Sequence, residues 1–548
     1  GNVNLQNMVV AQVTGSIAGN AVFSNTNHDG LWINEGLSAD GTLDLDQTGG
    51  DVTINATVTG GGDVDITAHS GDILVNKNVT SENGAIDLTA ERNIVQDGDS
   101  MIRSFGDTTI MADSDGDGAG NFVQNSGYIK TKGPNADIRI NGYDLYLRGL
   151  IATGDIRLTA AHDVYLGNPS TYAGYSWTLI PHEWLGGGTL WNPGSWFTDN
   201  FAFGVTFSWQ FPFYGELYDK FRLSTNGQIQ ILDSHSDPVF IDYLDSLTSL
   251  LDHRMIAPEW NDWANMHIYV SSPTANSVAV RWEGTDKSTS APVSFEAVLY
   301  QNGNIQFNYG SQTSAELITS GISVGNTEDH LTGPYQGFPA SGLNNVDSVL
   351  FTPNTQNVGI TAAGSFIVNA GGALVNNNTS GSPAVKAPTV DITTGTGVGS
   401  SSQPLTLVTD NLTFLNTGSG SVYFSNDNGG GTLTVGGSIS GPSGDIVIDQ
   451  SGNILLDDMS TNSGKIDLTG GGTIDQVPAT VLRATQLIAT AINAVTLPDI
   501  RVSALSVKAG GDISIVNTSA LLTVDALGGN CGIQGDSVIL TQNGNLDV

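Results

Sequence analysis

Gly50-Asp51-Val52-Thr53-Ile54, Gly62-Asp63-Val64-Asp65-Ile66, Gly71-Asp72-Ile73-Leu74-Val75 and Gly84-Ala85-Ile86-Asp87-Leu88 follow one another in a single stretch. Each phrase is a glycine, usually an aspartate, and then an apolar residue, any residue and a second apolar one. The unit continues at Arg92-Asn93-Ile94-Val95, Gly154-Asp155-Ile156-Arg157-Leu158 and His162-Asp163-Val164-Tyr165-Leu166. It returns at Gly444-Asp445-Ile446, Gly452-Asn453-Ile454, Gly464-Lys465-Ile466, Gly472-Thr473-Ile474, Gly511-Asp512-Ile513 and Gly544-Asn545-Leu546. Counted on the first apolar residue, every second unit recurs regularly: 52 to 73 is 21, 64 to 86 is 22, 73 to 94 is 21 and 86 to 108 is 22. The last is a weaker match, because Thr108 replaces the apolar residue. Near the C-terminus, 446 to 466 and 454 to 474 are both 20. Short strands with alternating side chains, repeated at this period and separated by Gly, Asn and Asp, are what one coil of a right-handed parallel β-solenoid requires.

Composition agrees with an all-β chain. Of 548 residues 69 are Gly and 18 Pro, and charged residues are only 13%, about half the usual share. The acids divide into 44 Asp and 10 Glu, a ratio suited to turns rather than helices. The expectation is that Val, Ile and Leu stack inward, that Thr, Ser, Asn and Asp face water, and that Gly or Asp occupies positive-φ corners. A net charge of −36 with 18 Lys plus Arg argues against a nucleic-acid partner, since phosphate binding needs a basic surface. With one cysteine, Cys531, there is no intrachain disulfide, and the cysteine reads as an inward side chain. No 18-residue apolar run is present, so membrane insertion is not expected, and any export signal lies outside the chain.

The G-D-I-x-L phrases and their spacing resemble the filamentous-haemagglutinin type of bacterial secreted adhesin over about residues 1–168 and 356–548. Between them the texture changes. Eight of the nine Trp, 12 of 18 Phe and seven of 14 Tyr lie in residues 176–355. A solenoid corner needs none of these, so residues 169–355 read as an inserted globular β-sandwich with its own aromatic core. The phrases Phe211-Pro212-Phe213-Tyr214-Gly215, Leu223-Ser224-Thr225-Asn226-Gly227, Ile256-Ala257-Pro258-Glu259-Trp260-Asn261-Asp262-Trp263 and Phe295-Glu296-Ala297-Val298-Leu299-Tyr300-Gln301-Asn302-Gly303 resemble a nidogen-like extracellular domain. Glu259 departs from that pattern, standing where an aromatic is usual. The resemblance implies an adhesive or matrix-associated setting rather than a reaction.

Candidate sites are few. Asp113, Asp115 and Asp117 follow D-x-D-x-D-G, the first half of a Ca²⁺ loop; Gln124 stands at the position of its bidentate Glu, and the alternative is a solvated loop between coils. Glu259, Asp262, Trp260 and Trp263 could line a sugar-binding or sugar-cleaving cleft, or else belong to a buried strand and turn. Trp184, Trp191 and Trp196 sit on a long aromatic loop that is either a contact surface or a seal onto the solenoid. Glycine runs at 429–431 and 470–472 lack the Lys-Ser/Thr of a phosphate loop and read as turns.

These readings converge on a non-enzymatic structural repeat of a bacterial extracellular filament or giant surface adhesin. Both ends fall inside solenoid phrases without an amphipathic cap, so coils can add end to end through open strand edges, with the sandwich as lateral decoration. The first alternative is an adhesin module that binds an extracellular glycan or surface protein, with the solenoid as spacer. The second is a polysaccharide lyase or hydrolase, which the thin spread of Lys and Arg disfavours.

Overall fold

The computed structural model describes residues 1–98, 100–191, 200–235, 237, 246–325, 329–529 and 532–548. It divides into two compact units: Gly1–Thr171 with Asn357–Val548, and Tyr172–Gln356. Among the described residues no helix is long and apolar enough to cross a membrane.

The first unit is a β-solenoid whose described strand pairs are all parallel. One coil comprises Leu43–Gln47, Val52–Ile54 and Val58–Gly60, after which Val64–Ala68 begins the next. The six spacings counted in the sequence are the registers of the structure. Val52 pairs with Ile73 and Ile73 with Ile94; Val64 pairs with Ile86 and Ile86 with Thr108. Likewise Ile446 pairs with Ile466 and Ile454 with Ile474. The three-strand coil gives way at Val422–Asn426, where one strand continues two ladders at once: Val422 pairs with Val398, and Phe424 with Leu405. Just beyond it, two longer strands make a coil, Ile446–Gln450 with Asn453–Thr461, and three strands return at Lys465–Gly470, Ile474–Gln476 and Leu482–Arg483.

Alternation within each strand builds the core. In Leu43–Gln47 the first, third and fifth side chains are buried and Asp44 and Asp46 point outward. One interior column runs Ala21, Leu43, Val64, Ile86, Thr108, Ile138 and Ile156 through successive registers. Thr108 fits there because its hydroxyl shares a 2.7 Å bond with the buried Ser104 hydroxyl. Each Val, Leu or Ile side chain in such a column contributes roughly 1.5–3 kcal/mol by leaving water.

Two expectations need correction. Asn does not simply face water: Asn25, Asn426 and Asn517 are buried at strand ends, and Gln47, Gln96, Gln124 and Gln450 occupy the same kind of position. A corner turns peptide carbonyls inward, and those carbonyls need donors. The Gln96 amide accordingly donates to Ser100 O (2.8 Å) and Tyr128 O (3.1 Å), and Gln124 donates to Gln96 across coils at 2.9 Å. Nor are most motif glycines at positive φ. Gly71, Gly84, Gly154 and Gly464 are absent from that region, yet a Cβ on any of them would overlap an atom of the coil before it: the Gly50 carbonyl, Asp63, Asp137 and the Gly444 carbonyl respectively. Space between coils, not backbone freedom, selects glycine there.

The aspartate after that glycine has its own task. Asp51 Oδ1 accepts the N–H of Asp72, and Asp72 Oδ1 that of Asn93, both at 2.9 Å. The series continues from Asn93 to Asn121 N, Asn121 to Asp144 N, Asp144 to Asp163 N and Asp163 to Ala373 N. A second corner repeats it through Asp107, Asp137 and Asp155 to Ser365 N. A side-chain oxygen thus holds the corner N–H of the following coil, where the strand ladder leaves a gap.

The coil also survives a large interruption. Ile156 pairs with Phe366, Leu150 with Ile360 and Val164 with Leu374, so parallel pairing resumes in register across residues 210 apart. The intervening unit is antiparallel. Its seven-stranded sheet contains Trp263–Ser271, Ser277–Asp286, Pro292–Tyr300, Ile305–Tyr309 and Ser348–Val358. Its six-stranded sheet contains Ala202–Phe213, Glu216–Ser224, Gln228–Leu232, Arg254–Trp260 and Thr319–Val324. Phe211, Phe221, Trp263, Trp282, Phe295 and Phe307 from both sheets share one core.

Stacking identical phases also stacks like charges. Asp44, Asp65 and Asp87 are direct register partners on the outward face. Burial between flanking strands, then the charges of Asp87, Asp44 and Asp63, push the Asp65 carboxyl up to about 6. The folded state therefore holds that proton more tightly than the unfolded chain, and stability present below the ordinary value of 3.8 is lost as pH rises through about 6. Asp65→Asn should raise the thermal midpoint of the solenoid relative to wild type at pH 8 and lose that advantage at pH 4, as followed by circular dichroism. At the corner, Asp72→Ala should cost about 1–2 kcal/mol in urea unfolding by stranding the Asn93 N–H, while Asp72→Asn should retain most of the stability.

Candidate functional site

In the inserted unit the four sequence phrases come together as two interlocked pairs. The turn at 225–227 packs on the bulge of strand Arg254–Trp260, whose register shifts between Ala257 and Trp260. Gly227, at φ +85°, lies so close that a Cβ would overlap the Glu259 carbonyl; such a φ is open to glycine at no steric cost. Asn261 N donates to Asn226 O at 3.2 Å, and the Trp263 indole donates to Glu259 O at 3.0 Å. The second pair joins the Tyr214-Gly215 turn to the hairpin at 301–304, where the Tyr175 hydroxyl bonds both Gly303 O (2.9 Å) and Pro212 O (3.2 Å). These phrases build the scaffold.

That placement decides the sugar-cleft reading. Glu259, Trp260 and Trp263 are all fully buried, at 0% exposure, so neither indole offers a stacking platform. Asp262 alone reaches the surface, where Lys287 pairs with it at 3.1 Å. The two carboxyls share no open cleft, and of the two readings of this segment the buried strand and turn is the one observed: the bulge that turns Glu259 inward is filled by Trp263 and by the 225–227 turn.

The aromatic loop is only partly exposed. Residues 182–186 run over the seven-stranded sheet of their own unit: Glu183 N donates to the Ser348 hydroxyl (3.0 Å), Leu185 N to Glu296 Oε1 (2.8 Å), and the Gln306 amide to Glu183 Oε2 (2.8 Å). Trp184 is half-buried against Gly310. Trp191 is 41% exposed, as is Trp177. Trp196 and Cys531 lie outside the described residues. Glu296, which sequence reasoning passed over, is buried under this segment. Burial pushes its carboxyl up, against bonds from Leu185 N–H and the Asn308 amide (2.7 Å).

In the solenoid, the carboxylates of Asp113, Asp115 and Asp117 place ligand oxygens within 4.8 Å of one another. The loop folds on itself: Asp113 Oδ1 accepts Gly118 N (3.0 Å) and Asp117 Oδ1 accepts Ala119 N (2.9 Å). Gln124 contributes nothing to it, because it points into the core, where its Oε1 accepts Arg148 N and Gly149 N. Three side chains are half the complement of six to eight oxygens that Ca²⁺ takes. A second group, Asp144, His162 and Asp163, also converges, with His162 Nδ1 2.9 Å from Asp144 Oδ1 and its ring stacked on Tyr143. Its aspartates belong to the corner series already described. A cleft of about 500 Å³ near Asn378, Pro383 and Gln403 carries a single carboxylate, Asp427.

Residues 186–368 match the family model described as NIDO related, a domain type that is typically extracellular. The matched span contains all four phrases. No curated protein matches the chain, and no solved structure does. Fold and comparison together define a parallel β-solenoid that carries an inserted NIDO-related domain.

Since Trp263 packs in the core and donates a buried bond, Trp263→Ala should destabilise the inserted unit by about 3–5 kcal/mol. Tryptophan fluorescence during urea unfolding reads this unit selectively, because eight of the nine Trp lie within it.

Proposed function

We propose that the protein is a structural shaft of an extracellular bacterial filament or giant surface adhesin, which presents its NIDO-related domain as a decoration. The observation that carries this reading is the register preserved across the insertion: Ile156 meets Phe366 as if the coil were unbroken. A chain that stacks coils in one phase and carries a domain in a single coil is organised as a scaffold with a passenger. The matched domain type supports an extracellular setting, and the acidic surface is consistent with a partner other than nucleic acid. In this reading a further coil, from this chain or another copy, pairs along Val3–Met8 or Asn545–Asp547, beside exposed Leu5, Val9, Ile539 and Leu546. Ca²⁺ at Asp113, Asp115 and Asp117 would stiffen one corner of such a shaft.

A second reading, an adhesin module for a glycan or surface protein, draws on exposed Trp177, Leu179, Leu190 and Trp191 of the inserted unit. Negative-stain electron microscopy of the purified chain and of native material, with Ca²⁺ and then with excess chelator, separates the two. Filaments of regular repeat are the expected result, and their shortening on chelation would assign a cation to the acidic loop. Monodisperse particles under every condition, together with glycan-array retention that Trp177→Ala and Trp191→Ala abolish, would replace the shaft by the adhesin module.

A further inference from the structure

Glu259 stands apart from every surface feature above. It is fully buried in the inserted unit, and Gln312, which follows strand Ile305–Tyr309 of the opposite sheet, is 1% exposed. The Gln312 amide donates to Glu259 Oε2 at 3.1 Å. Both remaining oxygens, Glu259 Oε1 and Gln312 Oε1, are buried without a hydrogen-bond partner among the described residues. A buried ion left with one bond costs several kcal/mol, and two orphaned acceptors in one contacting pair are a deficit of one donor.

The neighbours supply no such donor. From the seven-stranded sheet, the Tyr309 hydroxyl faces the same bulge, but it bonds Pro258 O at 3.3 Å and approaches the Ser320 hydroxyl at 3.5 Å. Tyr335 stands behind it, edge-on at 5.3 Å. The Trp263 indole is committed to the Glu259 carbonyl. Charged groups on adjoining segments are engaged elsewhere: Asp262 with Lys287, and Asp286 with the Ser314 and Ser288 hydroxyls.

We infer that Glu259 is held as a neutral carboxylic acid that closes a two-bond ring with the Gln312 amide, its carbonyl oxygen accepting the amide N–H and its hydroxyl donating to the amide oxygen. One proton satisfies both orphaned atoms. The ring clasps the six-stranded sheet to the seven-stranded one, and ionisation of the carboxyl opens it. Burial, which pushes this carboxyl well above its ordinary 4.5 against the opposing Gln312 bond, acts in the same direction.

Glu259→Gln provides the test, since a second amide reproduces the ring without a titrating proton. A raised native value means that stability is greatest below the unfolded-state value near 4.5 and falls as pH rises. Urea unfolding of the full chain, read by tryptophan fluorescence from pH 5 to pH 9, should show the wild-type folding constant falling about tenfold per pH unit relative to Glu259→Gln until Glu259 titrates in the folded state. An infrared band of a protonated carboxyl should persist in folded wild type at pH 8, disappear on unfolding, and survive Glu296→Gln. Parallel stability curves for wild type and Glu259→Gln would overturn the inference. So would the absence of that band, which needs only wild type and stands even if the variant fails to fold. Stabilisation of the inserted unit by Ca²⁺, lost on chelation, would place a cation rather than a proton between the two oxygens and would equally overturn it.

Discussion

The hydrogen bond from the corner N–H of one coil to the aspartate or asparagine side chain of the coil before it is the constraint on which the solenoid depends. Strand ladders satisfy the backbone along each face, but a corner breaks the ladder and leaves N–H groups directed along the stack. The series from Asp51 to Ala373 meets that demand with one short side chain per coil. It also fixes phase, because a side chain one residue out of place would present its oxygen to no donor. Where glycine stands beside it, as Gly71 does beside Asp72, no Cβ meets the coil before. The motif is thus the minimum chemistry of a corner, and its repetition makes the sequence look low in complexity.

That economy has an electrostatic side. Phase identity from coil to coil puts aspartate on aspartate at 44, 65 and 87, whereas further along the same face Arg139 lies beside Asp107 and Asp137, and Arg157 beside Asp155. Repulsion in the N-terminal coils therefore gives way to pairing further along the stack. The inserted unit solves a different problem. It is built of antiparallel sheets rather than stacked coils, so large aromatics fill its core and its two sheets are stitched by indole and phenol bonds, Trp282 to Ser224 O at 2.8 Å being one.

Period and register were legible in the sequence because stacking makes spacing in sequence equal to displacement in space. The boundaries of the aromatic segment were readable for a similar reason: a solenoid has no room for clustered indoles. The corner bonds were hidden, since each joins residues about one period apart and the donor is main chain. Asn25 and Asn426 belong to a residue type expected to face water, because polarity alone does not report an inward carbonyl that needs a donor. Trp260 and Trp263 suggested a cleft because residue type without burial cannot tell a stacking platform from a core. Glu259 stood out as a departure from its resemblance, yet its meaning required Gln312, 53 residues away.

The in-register bridge from Ile156 to Phe366 bears on how the chain reaches its fold. Closing a loop of 210 residues instead of one coil costs only about 2 kcal/mol in chain entropy, because the penalty grows with the logarithm of length. A folded passenger lowers even that, since its own two ends are already drawn together. The inserted unit is then best completed before the ladder crosses it. At this crossing the entropy favours one order: the passenger collapses on its own aromatic core before the strand at Ile360–Ala362 pairs with Leu150–Ala152. A lesion that slows the passenger would therefore stall growth of a solenoid whose own sequence is intact.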